Sequence, residues 1–237
     1  MLGNRGGSGA IAQAVNSLAS GRWQDLEPGA GQDSRTYHAM SDTSENAITG
    51  FVLAGGESSR MGTDKASLRL DGETLLARAL RLASAVSTTV RVVGRVSALS
   101  EHEVVEDIYP KRGPLGGIHA ALTSSSTELN LVLAVDLPFI EVRFLDYLIA
   151  RARAGDAVVT VPRANGGWQP LCAVYRRAFA RTAEAALVQG KNRIDALFAS
   201  VRTEIVGEDE LIRVGFSPAM FRNLNTPEDW QQAQRHS

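Results

Sequence analysis

The 237 residues contain a single cysteine, Cys172, so no disulfide can form within the chain. It lies in Pro170-Leu-Cys-Ala-Val-Tyr175 among apolar neighbours, the setting of a packed thiol rather than a nucleophile. The four histidines show no metal-type spacing, which argues against a zinc site. A formal net charge of -1 leaves no positive excess to attract nucleic acid. Apolar runs stop short of the roughly 20 residues that a membrane-spanning helix needs. The patch Ala10-Ile-Ala-Gln-Ala-Val-Asn-Ser-Leu-Ala19 is too weakly apolar for a signal segment and lacks a strongly basic start. With so little cysteine, we expect a protein of the reducing cytoplasm. Internal repeats are absent as well.

Hydrophobic residues make up 44% and charged residues 22%, proportions that suit one globular α/β unit with a small-molecule substrate. Residues 1–46 differ from the rest: Gly, Ser, Ala, Asn and Gln dominate and no apolar period is sustained. We expect them to form a disordered extension, leaving 47–237 as the folded domain.

From Ile48 onward, short β-branched runs alternate with amphipathic stretches, the pattern of βαβ units around a mostly parallel sheet. Strands are expected at Ile48–Leu53, Thr89–Val93, Glu103–Glu106, Leu129–Val135, Ala157–Val161 and Leu171–Tyr175. Leu75, Leu76, Ala79, Leu80, Leu82 and Ala83 recur with helical spacing after a turn at Asp71-Gly72. Further helices are expected through His119–Ala121, over Val142–Arg153 and from Arg177 to about Gln189. Thr226-Pro-Glu-Asp229 supplies the cap, first-position proline and acidic residue that start a terminal helix.

The most informative stretch is Phe51-Val-Leu-Ala-Gly-Gly-Glu-Ser-Ser-Arg-Met-Gly-Thr-Asp-Lys65, a strand running directly into a glycine-rich loop. Gly55, Gly56 and Gly62 allow the backbone close to a ligand, so that successive N–H groups can converge on anionic oxygens. Arg60 and Lys65 add positive charge. The spacing fits neither the Walker loop, whose lysine follows its second glycine, nor the dinucleotide fingerprint, since Arg60 stands where the last glycine would be. A plain glycine turn remains the alternative for the glycines taken without the two cations.

Ligands of open α/β sheets bind beyond the carboxyl ends of the strands, so the loops after Leu53, Glu106 and Val135 should share one site. In that site the first loop would cradle a triphosphate, and Asp107 with the glycines of Lys111-Arg-Gly-Pro-Leu-Gly-Gly117 would approach a base or ribose. Asp136 could hold Mg²⁺, which asks for only one or two carboxylates beside phosphate oxygens. Asp136 equally suits an N-cap for the helix after Pro138, and Asp107 a turn cap. His119 reads as a packed helix residue. A cradle, two cations and one magnesium carboxylate point to nucleotidyl transfer, which needs alignment and charge neutralisation but no protein nucleophile.

These segments resemble a known family. Leu53-Ala-Gly-Gly-Glu-Ser-Ser-Arg-Met-Gly-Thr-Asp-Lys65 is similar to the signature of the molybdenum cofactor guanylyltransferases. Glu106-Asp107, Gly113-Pro-Leu-Gly116, Asp136-Leu-Pro138 and Asn223-Leu-Asn-Thr-Pro-Glu228 resemble its later motifs, in the same order. The resemblance implies a Rossmann-like nucleotidyltransferase fold of the GT-A type, a three-layer sandwich with a mostly parallel central sheet. It implies transfer of GMP from Mg-GTP to the terminal phosphate of molybdenum-bound molybdopterin, in the cytoplasm. Leu53, Ala54, Gly55, Gly56, Lys65, Asp107 and Asp136 would contact GTP, and Asp136 would also bind Mg²⁺. Arg60 would steady the departing pyrophosphate.

By the same resemblance Arg193, Asn223 and Asn225 match pterin-site positions, although each also suits a solvated or turn-forming role. Product transfer would involve transient contact with molybdoenzymes or cofactor chaperones. Val93-Gly94-Arg95 departs from the asparagine that the family often carries after its second strand. Two rival readings stay open: a cytidylyl- or sugar-phosphate nucleotidyltransferase of the same fold, and a non-catalytic nucleotide-binding adaptor in cofactor delivery.

Overall fold

A computed structural model describes residues 47–55, 65–94, 102–224 and residue 229. The expected N-terminal extension, Gly56, Arg60, Gly62, Asn225 and the helix-start signal at 226–228 lie outside the described residues.

Strand β1 (Ile48–Leu53) is buried along its whole length, and so is β6 (Leu129–Ala134). Such continuous burial explains why both read as unbroken apolar runs rather than as alternating ones. They pair in parallel at the centre of the sheet, with Ile48 opposite Leu129 and Leu53 opposite Ala134. Outward from β1 come β4 (Thr89–Val93) and the short β5 (Val104–Val105), each parallel to its neighbour. Two further two-residue strands, β2 (Arg69–Leu70) and β3 (Glu73–Thr74), form a separate hairpin around Asp71-Gly72. Both turn residues have positive φ, 53° and 79°, which is the backbone of a type I′ turn.

On the other side of β6 the sheet continues through β9 (Cys172–Arg176), β7 (Val159–Ala164) and β10 (Thr203–Gly207). Here β9 runs antiparallel to both β6 and β7, whereas β7 and β10 are parallel. The carboxyl ends of β7 and β6 therefore lie on one edge of the sheet, as does the start of β9. Two residues, β8 (Gly167–Trp168), fold back on the end of β7.

Helices cover both faces. Helices α1 (Leu75–Ser84), α3 (Val142–Ala154) and α5 (Glu208–Arg213) pack on the face that carries Ile48, Val52, Leu131 and Leu133. Helices α2 (Pro114–Ser124) and α4 (Phe179–Val188) pack on the face of Phe51, Leu53 and Val132. The result is the three-layer sandwich around a mostly parallel sheet that the family resemblance implied. Cys172 is fully buried, and burial pushes its thiol well above the usual range, as expected of a packed cysteine. Among the described residues no helix is long and apolar enough to cross a membrane.

Candidate functional site

The first loop leaves the sheet through a stitched backbone. The Leu53 carbonyl accepts from the Val135 N–H at 3.2 Å, and the Ala54 N–H donates to the Val93 carbonyl at 3.0 Å. This fixes the exit of β1 between β4 and β6 and delivers an exposed Gly55 to the carboxyl edge. Gly94 holds that exit from the side. Its φ is +122°, and a Cβ there would lie 2.6 Å from the Gly55 nitrogen and 2.8 Å from the Gly55 Cα. Only a residue without a side chain permits this approach. The departure at Val93-Gly94-Arg95 therefore has a physical role: Gly94 is what lets the β4 end lie against the start of the glycine-rich loop.

Lys65 resumes the described chain on a short 3-10 turn, Lys65–Ser67. Opposite it, β6 runs on through the buried Val135 to the half-buried Asp136. Burial raises the pKa of the Asp136 carboxyl, and the nearby Lys65 ammonium pulls it back down. Lys65 is thus within electrostatic reach of Asp136, which follows β6 at its carboxyl end. The helix after Pro138 begins at Val142 with Glu141 in the cap position, so Asp136 does not cap it. A second segment meets Asp136 from the C-terminal side, where the Leu224 N–H donates to the Asp136 carbonyl at 3.1 Å. Leu224 is buried and Asn223 exposed, which sets Asn223 beside the aspartate's loop.

Asp107 does form a turn: its Oδ1 accepts from the Tyr109 N–H at 2.9 Å. Its carboxylate also lies over the first turn of α2, since a Cβ on Gly116 would come within 2.9 Å of Oδ1. Gly113, with φ of +65°, caps that helix without a side chain. The turn-cap reading of Asp107 is met, in a carboxylate held at a glycine-lined helix start. His119 is buried, and Tyr109 sets its ring edge against it at 5.1 Å between centroids.

Arg193 projects from the loop after α4 with its side chain 82% exposed, and it grips Asp195 through contacts of 2.8 and 3.3 Å. That pairing raises the arginine's pKa and lowers that of Asp195. Among the described residues no three His, Cys, Asp or Glu side chains gather as a metal cage. A divalent ion at Asp136 would have to complete its shell with phosphate oxygens and water, which is the habit of Mg²⁺.

Residues 50–205 match the family described as the MobA-like NTP transferase domain. A "Probable molybdenum cofactor guanylyltransferase" of Opitutus terrae is 36% identical, covering 80% of this chain and 96% of the relative. A "Molybdenum cofactor guanylyltransferase" of Desulfosudis oleivorans is 34% identical over 80% of this chain and 95% of its own. Among solved structures, the molybdopterin-guanine dinucleotide biosynthesis protein A of Archaeoglobus fulgidus superposes with a TM-score of 0.70 at 26% identity, covering 79% of this chain and 97% of that one. The 2-C-methyl-D-erythritol 4-phosphate cytidylyltransferase of Thermus thermophilus shares the fold, with a TM-score of 0.60 at 18% identity over 80% of this chain and 98% of that one.

Proposed function

The chain belongs to the MobA-like NTP transferases, the family of the molybdenum cofactor guanylyltransferases, and on that premise we propose that it transfers GMP from Mg-GTP to the terminal phosphate of molybdenum-bound molybdopterin. A phosphate oxygen of the acceptor attacks the α-phosphorus, the bond to the β-phosphate breaks, and pyrophosphate leaves. What supports this reading is the electrostatic reach of Lys65 to Asp136, which follows β6 where the glycine exit of β1 is stitched to it.

Each residue then has a part. Gly55, and Gly56 beyond it, present backbone to the nucleotide. The Ala54 N–H is committed to Val93, so contact from Ala54 runs through its carbonyl or methyl group. Lys65 neutralises charge that grows on the phosphate oxygens as the bond to pyrophosphate opens, with Arg60 assigned the same task on the leaving group. Asp107 takes the ribose or base side. Asp136, raised in pKa by burial, supplies the one protein oxygen for Mg²⁺ and is favoured in its ionised form by the cation. Mg²⁺ held by Asp136 would supply neutralisation of the negative charge on the phosphates. Arg193, Asn223 and Asn225 are assigned to the acceptor. The catalytic domain spans 47–237, acts in the cytoplasm and passes its product to molybdoenzymes or their chaperones.

Calorimetric titration with each nucleoside triphosphate in the presence of Mg²⁺ tests this reading against its nearest rival. Preferential binding of GTP is expected, and selective binding of CTP would replace the guanylyl reading with a cytidylyl one. Pyrophosphate release on mixing protein, Mg-GTP and molybdopterin excludes a pure adaptor.

A further inference from the structure

The two edge strands of the central sheet are finished differently. On one side the sheet ends in β5, only two residues long, and so short an edge offers little for another chain to pair with. On the other side it ends in β10, the five residues Thr203-Glu204-Ile205-Val206-Gly207. This strand holds no proline and no lysine. Its register with β7 runs unbroken from Thr203 opposite Val159 to Gly207 opposite Arg163, so no bulge turns the edge away. Among the described residues, β10 pairs with no strand other than β7.

The direction of the backbone decides which groups face outward. The Arg202 carbonyl accepts from the Val158 and Val159 N–H groups at 2.8 and 3.3 Å, so it points at β7. Along a parallel ladder the next residue turns its own N–H and C=O the other way. Thr203, Ile205 and Gly207 therefore direct these groups outward, whereas Glu204 and Val206 direct theirs at β7. The side chains alternate too. Val206 is buried in the layer of α3 and α5, and Glu204, the strand's one charge, pairs with Arg151 of α3 on that same face. Ile205 points to the opposite face and stays 45% exposed at the middle of the strand. A row of outward N–H and C=O groups around an apolar β-branched residue is a template for a strand that arrives from outside.

Charge complementarity identifies that strand. In an antiparallel pair of identical edges, related by a two-fold axis perpendicular to the sheet, residues that oppose each other share a face. Centred on Ile205, such a pair uses the whole of β10: Ile205 meets Ile205, Thr203 meets Gly207 and Glu204 meets Val206. Just beyond the strand, Arg202 of each chain meets Glu208 of the other. Arg202 pairs with Asp156 and keeps its side chain 65% exposed, and Glu208 is held at the edge by the Asn165 N–H, which donates to its Oε2 at 2.6 Å. Moving the centre to Glu204 sets Glu204 against itself, and moving it to Val206 sets Glu204 against Glu208, both repulsive. The full-length register is thus also the one that matches opposite charges at both ends.

We propose that β10 is the interface of a reversible homodimer, in which two copies of this chain join their sheets edge to edge, antiparallel, about Ile205. Thr203, Ile205 and Gly207 of each chain donate their N–H groups to the carbonyls of the other, and the two Ile205 side chains pack together at the centre. The axis reverses the second sheet, so the two carboxyl edges face opposite ways and each stays clear of the join. A contact of five strand residues a side is small, which sets the dissociation constant at about micromolar or weaker.

Sedimentation velocity of the full chain, from micromolar to millimolar concentration, tests this. Wild type should pass from monomer to dimer as concentration rises. Ile205→Lys sets two ammonium groups opposite each other and should weaken association by about tenfold or more. Arg202→Glu and Glu208→Arg should each weaken it by about three- to thirtyfold, and the double variant, with opposite charges facing again, should recover wild-type association. Recovery by exchange separates a lost contact from a loosened fold, which the melting temperature of each variant also reports. Amide hydrogen exchange locates the join: at high concentration the N–H groups of Thr203, Ile205 and Gly207 should slow, while those of Glu204 and Val206, already turned to β7, keep their rates. A dimer that Ile205→Lys leaves intact, or outward amides indifferent to concentration, overturns the proposal. A monomer at every concentration also overturns it and leaves the edge to a strand of another protein.

Discussion

The two ends of the central sheet treat buried polar groups in opposite ways. At the amino end of β6, Asn130 is fully buried and well satisfied. Its Oδ1 accepts from Ser125 and Thr127, and its amide donates to the carbonyls of Thr127, Glu128 and Tyr175. Thr127 adds a 2.9 Å bond to Thr49 on β1, so the cluster ties three strands together. At the carboxyl end of the same strand Asp136 is partly buried with no such network among the described residues, within electrostatic reach of Lys65 and raised in pKa by burial. A buried polar group whose partners are all internal holds the fold together; one left desolvated, with a cation across from it, is poised for something that arrives from outside.

Substitutions at the two ends should therefore separate activity from stability. The largest effect is expected at the carboxyl end: Lys65→Ala should lower kcat by about 10² to 10³, the usual result of removing one group that stabilises transition-state charge. An unaltered turnover number would remove Lys65 from the mechanism. At the amino end, Asn130→Ala should cost about 2 to 3 kcal/mol in denaturant unfolding, because several buried groups lose their partner. Turnover per folded molecule should stay as in wild type, and a selective loss of kcat there would erase the contrast.

Gly94→Ala should raise the KM for GTP by about tenfold, since its new Cβ must push the Gly55 backbone away at a strain of about 1 to 3 kcal/mol. A variant with wild-type GTP affinity would show that the loop does not depend on this approach. The smallest effect concerns the stability of Asp136→Asn. Burial raises the native pKa of Asp136 above its unfolded value, so its contribution to stability is fully present at acid pH and is lost as pH rises through the native pKa. Removing the charge should leave the neutral-pH melting temperature unchanged or slightly higher, with the difference from wild type vanishing in acid. A clear fall in melting temperature at neutral pH would give the carboxylate a structural role instead.

Much of this was legible in the residues, and the remainder has identifiable causes. β1 and β6 announced themselves because strands covered on both faces must be apolar throughout, and α1 because one face of it packs on the sheet. Asp107 and Asp136 were placed correctly at strand ends by the order of elements. β10 was missed: it is an edge strand in which only Val206 is fully buried, too little to leave a pattern. The β7–β8 hairpin was missed although Asn165-Gly166 is a strong turn signal, because the flanking strand β8 spans only two residues. The reversed direction of β9 leaves no trace in composition or period. Gly94 read as a departure from a motif because its meaning lies in a contact with Gly55, thirty-nine positions earlier in the chain, that no local pattern records.

The account stands on Lys65 and Asp136 serving one nucleotide at one end of the sheet. Transfer of the labelled α-phosphate of GTP to molybdopterin, followed in wild type and in Asp136→Asn under identical Mg²⁺, tests that claim most directly. Label should pass to the acceptor with release of pyrophosphate in wild type and fail to pass in a variant that remains fully folded. Equal transfer by both proteins would contradict it.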